Sequence, residues 1–290
     1  MLKTKSTFFK GEFLIVLTAT LWSFSALLSK LASLNPILLV ALRSFFALLV
    51  LLPAARFRFK FNGWIALGSL CYMANCFAYF LALDYTSAGN AVVLCYTAPI
   101  LVLVWDCLYF KRKPTWTQIM VLAVTFGSIL VIFAGKLTAG GLIGNALALF
   151  SGVAFSGLFF VNSLPRSSPI HSNIYASFVS LPLLLFFLPD IALMSGTSWF
   201  WVALMGTVQI GFSYVLFNAG MKHCSGFNAS IISTLEVVLV PLLVAVFLRE
   251  KIDIYTIVGG LAIMAAIIAN VLLEKRRARK LAEKPAPQNT

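Results

Sequence analysis

Three ionisable residues stand inside long apolar runs, where charge is costly: Arg43, Asp106 and Glu236. Insertion scales put that cost at about 2.5–3.5 kcal/mol per charge at mid-membrane, so such groups face a bundle interior or water. Glu236 lies near the middle of FNASIISTLEVVLVPLL, residues 227–243, with no lysine or arginine beside it. Low-dielectric surroundings disfavour the charged form of an acid, which suits a group that takes up and releases a proton. The same carboxylate would serve as counter-ion to a cationic ligand, or as a structural partner for Arg43. Arg43 offers a two-pronged fork that fits a carboxylate or phosphate, and structural pairing is its other reading. Asp106 is five residues from the basic triplet KRK, 111–113, and is expected to reach that loop.

Neutral polar residues add to the set. Tyr72, Asn75 and Tyr79 follow one another at helical spacings of three and four, which makes one face. Gln209 with Ser213, and Tyr214 with Asn218, repeat that spacing later in the chain. Two such stripes would line a shared cavity, or would make interhelical hydrogen bonds worth about 0.6 kcal/mol each. Trp22, Asn90, Tyr96, Ser156 and Asn228 join the candidate cavity set.

The elements that must position these groups are membrane spans. The chain of 290 residues is 61% hydrophobic and 11% charged, with mean hydropathy +0.96. Soluble domains are about 45–50% apolar and about 25% charged. A span needs roughly 17–25 apolar residues, and ten runs qualify: 12–30, 35–53, 64–83, 87–110, 116–134, 141–163, 172–189, 198–221, 226–248 and 253–274. The first is read as a span because no cleavage-site pattern follows it. Trp64, Trp116, Trp199 and Trp201 fall near span ends, as interface anchors do.

Lysine and arginine set the orientation. Seventeen lie in the N-terminal segment, the 54–63 loop, KRK, Arg166, Lys222 and the tail; four (Lys30, Lys136, Arg249, Lys251) lie on the other side. Both termini are therefore expected in the cytoplasm. The tail EKRRARKLAEKPAPQNT is expected to be unordered except where its arginines meet lipid headgroups. The formal charge of +13 does not point to nucleic acid, since its residues sit in short loops rather than on a basic face. Five cysteines show no metal-ligand spacing and read as small apolar residues. His171 and His223 fall at span ends, where a solvated surface position is expected. Gly152 with Ser156, and Ala262 with Ala266, read as small-residue helix packing.

A shift of 138 residues lays the second half of the chain on the first. Residues 88–114 fall on 226–252, with Asn90 on Asn228, Ala91 on Ala229, Leu103 on Pro241 and Lys113 on Lys251. Asn75 falls on Ser213 and Phe80 on Asn218. Five spans per repeat make the second repeat inverted, the architecture of secondary transporters with a midplane site between halves. The organisation expected is a cytoplasmic segment 1–11, repeats at 12–134 and 141–274, and a basic tail at 275–290.

Four stretches resemble the EamA-type members of the drug/metabolite transporter superfamily. LWSFSALLSKL is similar to the family's Trp-Gly start, with Ser23 in place of glycine. ALRSFFALLVLLP places Arg43 where such proteins often carry arginine. YTSAGNAVVLCYTAPILVLV has Pro99 at the family's span-4 proline. NASIISTLEVVLVPLLVAVFLREKI is similar to the Glu-Pro … Gly-Glu-Arg pattern of span 9. Departures are Val237 for the proline after Glu236, Arg112 where glutamate is usual, and Arg249 for the glycine before Glu250. The first bears on helix kinking, the others on the charge network at the loop ends.

The resemblance implies an all-α fold of ten spans as two inverted five-helix repeats in a bacterial-type cytoplasmic membrane. It implies export of amino acids or related metabolites and drugs, and allows uptake or exchange of others, such as a cationic or nucleoside-type metabolite like S-adenosylmethionine. A small-molecule substrate, membrane lipids and protons are the partners expected, with no cofactor and no metal. Walker A, HExxH and GxSxG patterns are absent from the sequence, which argues against ATP hydrolysis and against an intramembrane enzyme. Short loops also leave little surface for a scaffold or receptor.

Overall fold

Backbone polar groups in lipid must be satisfied within the protein, so apolar runs of this length become helices. The computed structural model describes residues 3–133, 141–248 and 254–282, and every regular element among them is helical. Among the described residues nine helices are long and apolar enough to cross a membrane, with a tenth, shorter one. They are α1 (Lys10–Ala32), α2 (Pro36–Ala54), α3 (Gly63–Tyr85), α4 (Ala88–Tyr109), α5 (Trp116–Ile132), α6 (Leu142–Ser163), α7 (Pro169–Ala192), α8 (Gly196–Met221), α9 (Gly226–Phe247) and α10 (Ile254–Glu274). All ten predicted spans are present within a few residues.

Side-chain caps start many of these helices and satisfy orphan amide donors. Asn35 accepts from Ile37 N, Asn62 from Ile65 N and Ser195 from Ser198 N. Thr115 and Gln118 form a reciprocal capping box at the start of α5. Ser87 accepts from Asn90 N, and Ser225 from Asn228 N, the same cap 138 residues apart.

The packing repeats under the same shift. Helix α2 lies on α8 as α7 lies on α3, α6 meets α3 and α4 as α1 meets α8 and α9, and α4–α9 and α5–α10 map onto themselves. Glycines permit the closest of these approaches. A Cβ on Gly206 would stand 2.5 Å from Arg43 O and against Phe46, while one on Gly68, its counterpart, would stand 2.5 Å from Ser172 Oγ. Gly152 lets α6 sit on the main chain of α4, where a Cβ would lie 2.6 Å from Leu94 O.

Two breaks are also paired. Helix α4 is interrupted at Tyr96–Thr97 and α9 at Thr234, the position equivalent to Tyr96. Pro99 sits in the first turn after the α4 break, a position where its missing N–H costs nothing. Val237 holds the equivalent place in α9, yet the helix still breaks. There Thr234 Oγ1 donates to Ile231 O at 2.6 Å, and Thr234 N bonds the same carbonyl at 3.1 Å. A further break interrupts α1 at Ser23–Phe24, and α8 carries a π-helical stretch from Met205 to Phe212.

Some expectations change. The last helix continues from Ile254 to Ala282, so the first part of the tail is helical rather than unordered. His171 is buried, because its ring bridges Ser168 Oγ and Arg58 O, whereas His223 is exposed as expected. Lys136, Arg249, Glu250, Lys251 and the tail from 283 on lie outside the described residues.

Candidate functional site

The two breaks meet. Tyr96, at the α4 break, donates its hydroxyl to Glu236 Oε2 at 2.7 Å, just past the α9 break. Between them and α1, α2, α3, α6 and α8 lies a cavity lined by Trp22, Arg43, Asn75, Tyr79, Tyr96, Tyr214 and Glu236. It offers about 110 Å³ to the centres of water-sized groups. At about 10–15 Å³ each, that is room for about ten of them, the size of a small metabolite.

Arg43 is 3% exposed, and the close approach of Gly206 presses α8 against the Arg43 main chain. Its Nη2 donates to Cys76 Sγ at 3.1 Å, its guanidinium lies 5.0 Å from the Phe80 ring centroid, and its Nε has no acceptor among the described residues. Among the described residues it forms no ion pair with Glu236. A carboxylate and a guanidinium therefore face one small cavity without neutralising each other.

The remaining wall is aromatic and amide. Trp22 packs on Phe155, Tyr214 and Phe217, and its Nε1 donates to Ser213 Oγ at 2.9 Å. Tyr72 meets Tyr214 edge to face at 5.3 Å. Asn75 Nδ2 donates to Ser151 O at 3.1 Å. Gln209, in the π-helical stretch of α8, lines the cavity with a buried Oε1 that has no partner.

Of the residues selected from the sequence, nine line the cavity: Trp22, Arg43, Tyr72, Asn75, Tyr79, Tyr96, Gln209, Tyr214 and Glu236. Ser213 stands just behind them as the acceptor for Trp22. Four lie elsewhere. Asn90 bonds Asn145 Oδ1 at 3.2 Å near the start of α4, and Asn228 accepts from Asn270 at 3.1 Å. Ser156 accepts from Trp105 Nε1 at 3.0 Å, and Asn218 Oδ1 accepts from Ser168 Oγ at 3.3 Å. Each of the four thus ties elements together away from the cavity. Asp106 reaches Arg112 at 3.0 Å, the loop contact expected of it.

Ser25, Cys76, Cys95, Phe155, Leu158 and Ile210 line the cavity without having been selected. Gln209 carried a signal in its four-residue spacing from Ser213, whereas the cysteines read as packing. Glu12, at the start of α1, is also buried, and its carboxylate oxygens accept no hydrogen bond among the described residues.

Comparison with known proteins agrees with this architecture. The sequence profile of the EamA-like transporter family matches residues 9–134 and again residues 142–272. An uncharacterized transporter of Archaeoglobus fulgidus is 26% identical over 262 residues, spanning 89% of this chain and 95% of its own. A second from the same organism is 25% identical over 287 residues, spanning 89% and 96%. A crystal structure superposes with TM-score 0.76 over 94% of this chain and 98% of its own; at 20% identity this likeness is one of fold.

Proposed function

The chain belongs to the EamA-like transporter family, and from that premise we propose that this membrane transporter moves a small zwitterionic metabolite by alternating access. An amino acid or close relative is the substrate class that fits. The observation carrying this reading is the juxtaposition of Arg43 and Glu236, with no ion pair between them, on one small cavity that seven aromatic side chains help to line.

The chemistry follows from what each group lacks. Arg43 is buried, with a thiol sulfur as the acceptor of Nη2 and the Phe80 ring beside its guanidinium, so a substrate carboxylate entering the cavity would supply a stronger acceptor. Glu236, anchored by Tyr96, would receive the substrate ammonium group or a proton, and competition between the two would couple substrate movement to the proton gradient. The aromatic wall would hold the ammonium by cation–π attraction, worth about 2 kcal/mol or more when desolvated. Gln209 Oε1 is a further acceptor for that group. Export, both termini in the cytoplasm and residence in the cytoplasmic membrane complete the proposal. It assigns the chain no catalytic step and no cofactor.

A ligand screen tests it. Purified protein in detergent is melted with amino acids, polyamines, choline-like cations, nucleosides and anionic metabolites. A ligand at a hundred times its dissociation constant stabilises by about 2.7 kcal/mol, so a zwitterion of the right class should raise the midpoint, and less so in Glu236→Gln. A shift from choline-like cations with none from zwitterions would overturn the substrate assignment. It would favour a cationic substrate, with Arg43 structural.

A further inference from the structure

A second cavity, of about 720 Å³, opens where the α2–α3 loop, the α6–α7 loop and the end of α8 converge. Five cationic side chains line it: Arg56, Arg58 and Lys60 from the first loop, Arg166 from the second and Lys222 just beyond α8. None of its lining residues among the described ones is acidic. Mutual repulsion of this kind has to be offset by solvent or by an anion, and nothing in the wall supplies the negative charge.

The basin is also built at the level of backbone. Three of the five left-handed non-glycine residues in the described chain belong to its loops: Arg56 (φ 54°), Phe57 (φ 53°) and Arg166 (φ 70°). Such conformations persist only where neighbours enforce them. Here Asn62 Nδ2 holds Arg166 O at 2.8 Å, and buried His171 Nε2 holds Arg58 O at 2.9 Å. Both ties fasten the α2–α3 loop to the α6–α7 region across the basin.

The N-terminus of α7 opens into the same space, with Ser168, Ile170 and His171 among the lining residues. Pro169 has no N–H, and the Ser168 side chain makes no cap bond; its Oγ is held instead by His171 Nδ1 at 2.8 Å. The first turn of α7 thus has no side-chain cap from Ser168, and it lies at the end of a helix whose dipole favours anions.

We infer that this basin is a binding site for a phosphate-bearing anion. Arginine forks and the amides at a helix N-terminus are the donors that phosphate oxygens take. Two sources carry that chemistry: the headgroup of an anionic phospholipid, and a soluble phosphate. The basic residues also belong to the face that charge counting makes cytoplasmic, so a pure topology signal predicts the same composition but no saturable site. Walls from both repeats form the basin, so a bound anion bridges the two halves of the bundle.

The test is binding, not flux, so it stands whether or not the substrate reading does. Wild-type protein in neutral detergent is titrated with phosphatidylglycerol, with phosphatidylcholine, and with inorganic phosphate at constant ionic strength, following the melting midpoint. Phosphatidylglycerol should raise it saturably and phosphatidylcholine should not. Arg56→Gln with Arg166→Gln should weaken half-saturation at least tenfold. Lys111→Gln with Lys113→Gln, which removes equal charge from the same face, should leave it unchanged. Lys222→Gln approaches from the opposite wall and supplies a second variant should the double arginine change prevent folding. Saturation by inorganic phosphate as well would assign the site to a soluble phosphate, and saturation by the lipid alone would assign it to a headgroup. Equal weakening by the arginine and lysine pairs, or no saturable response to either anion, would overturn the proposal.

Discussion

Arg43 makes the strongest chemical demand in the molecule, because a buried guanidinium is costly unless its donors are met. Cys76 meets one donor with a weak acceptor, and Nε has none among the described residues. If the substrate carboxylate completes this set, Arg43→Lys keeps the charge but loses the fork. A charge-assisted hydrogen bond is worth about 1.5–3 kcal/mol, so substrate affinity should fall by roughly ten- to a hundredfold. Ligand titration of the melting midpoint measures this, and unchanged affinity would return Arg43 to a structural role. At Glu236 the corresponding change is Glu236→Gln, which keeps the shape and removes the proton. Flux into liposomes should then lose its dependence on an imposed pH gradient, while facilitated exchange of substrate persists. Tyr96→Phe leaves the carboxylate but deletes its 2.7 Å anchor. It should lower flux without abolishing the response to the gradient, a difference that separates holding the acid from being the acid.

Helices here derive their function from where they stop being regular. The breaks at Tyr96–Thr97 and Thr234 bring Tyr96 and Glu236 together, and the α8 π-stretch carries Gln209 to the cavity, as such bulges often do at functional sites. Ten spans and their five-plus-five repeat were legible in the sequence because lipid demands length and hydropathy and little else. Arg43 and Glu236 were legible as charges with no sequence neighbour to explain them. Asn90, Asn228, Ser156 and Asn218 were not placed rightly, because helix caps and interhelical ties use the same residue types as a polar cavity. The break at Thr234 was hidden because Val237 stands where a proline would have announced it. Packing at this scale makes its own prediction. Gly206→Ala sets a Cβ against the main chain of α2, and overpacking of this sort costs about 1–3 kcal/mol. Its melting midpoint should drop, and ligand response should weaken with it because Arg43 O is the atom displaced. Gly127→Ala, with open space around it, should melt like the wild type.

The molecule as a whole is two similar bundles of five helices, and most of its main helix pairs, α2–α8 with α7–α3 and α6–α3 with α1–α8 among them, exchange when the halves are exchanged. That near-symmetry is what alternating access needs: if the halves are equivalent, the arrangement that closes one face can close the other by exchanging their roles. Differences between the halves then carry the information. The cavity takes its guanidinium from α2 of the first repeat and its carboxylate from α9 of the second, so a zwitterion bound between them would tie the repeats together and release them on leaving. Charge differs too: the loops around Arg56–Lys60, Lys111–Lys113, Arg166 and Lys222 share one face, and among the described residues the opposite face has one cation, Lys30, with Asp84 and Asp190. Lysine and arginine bias fixes orientation during insertion, and the proposal that the basic face is inside can be checked on that ground. In a chain whose native cysteines are replaced, Ser195→Cys, in the turn before α8, should react with a membrane-impermeant thiol reagent applied to intact cells. Thr115→Cys, beside the basic triplet, should react only after the membrane is opened. The reverse pattern would invert the orientation, and with it the proposed direction of export, because the face now assigned to substrate entry would be the one open to the outside.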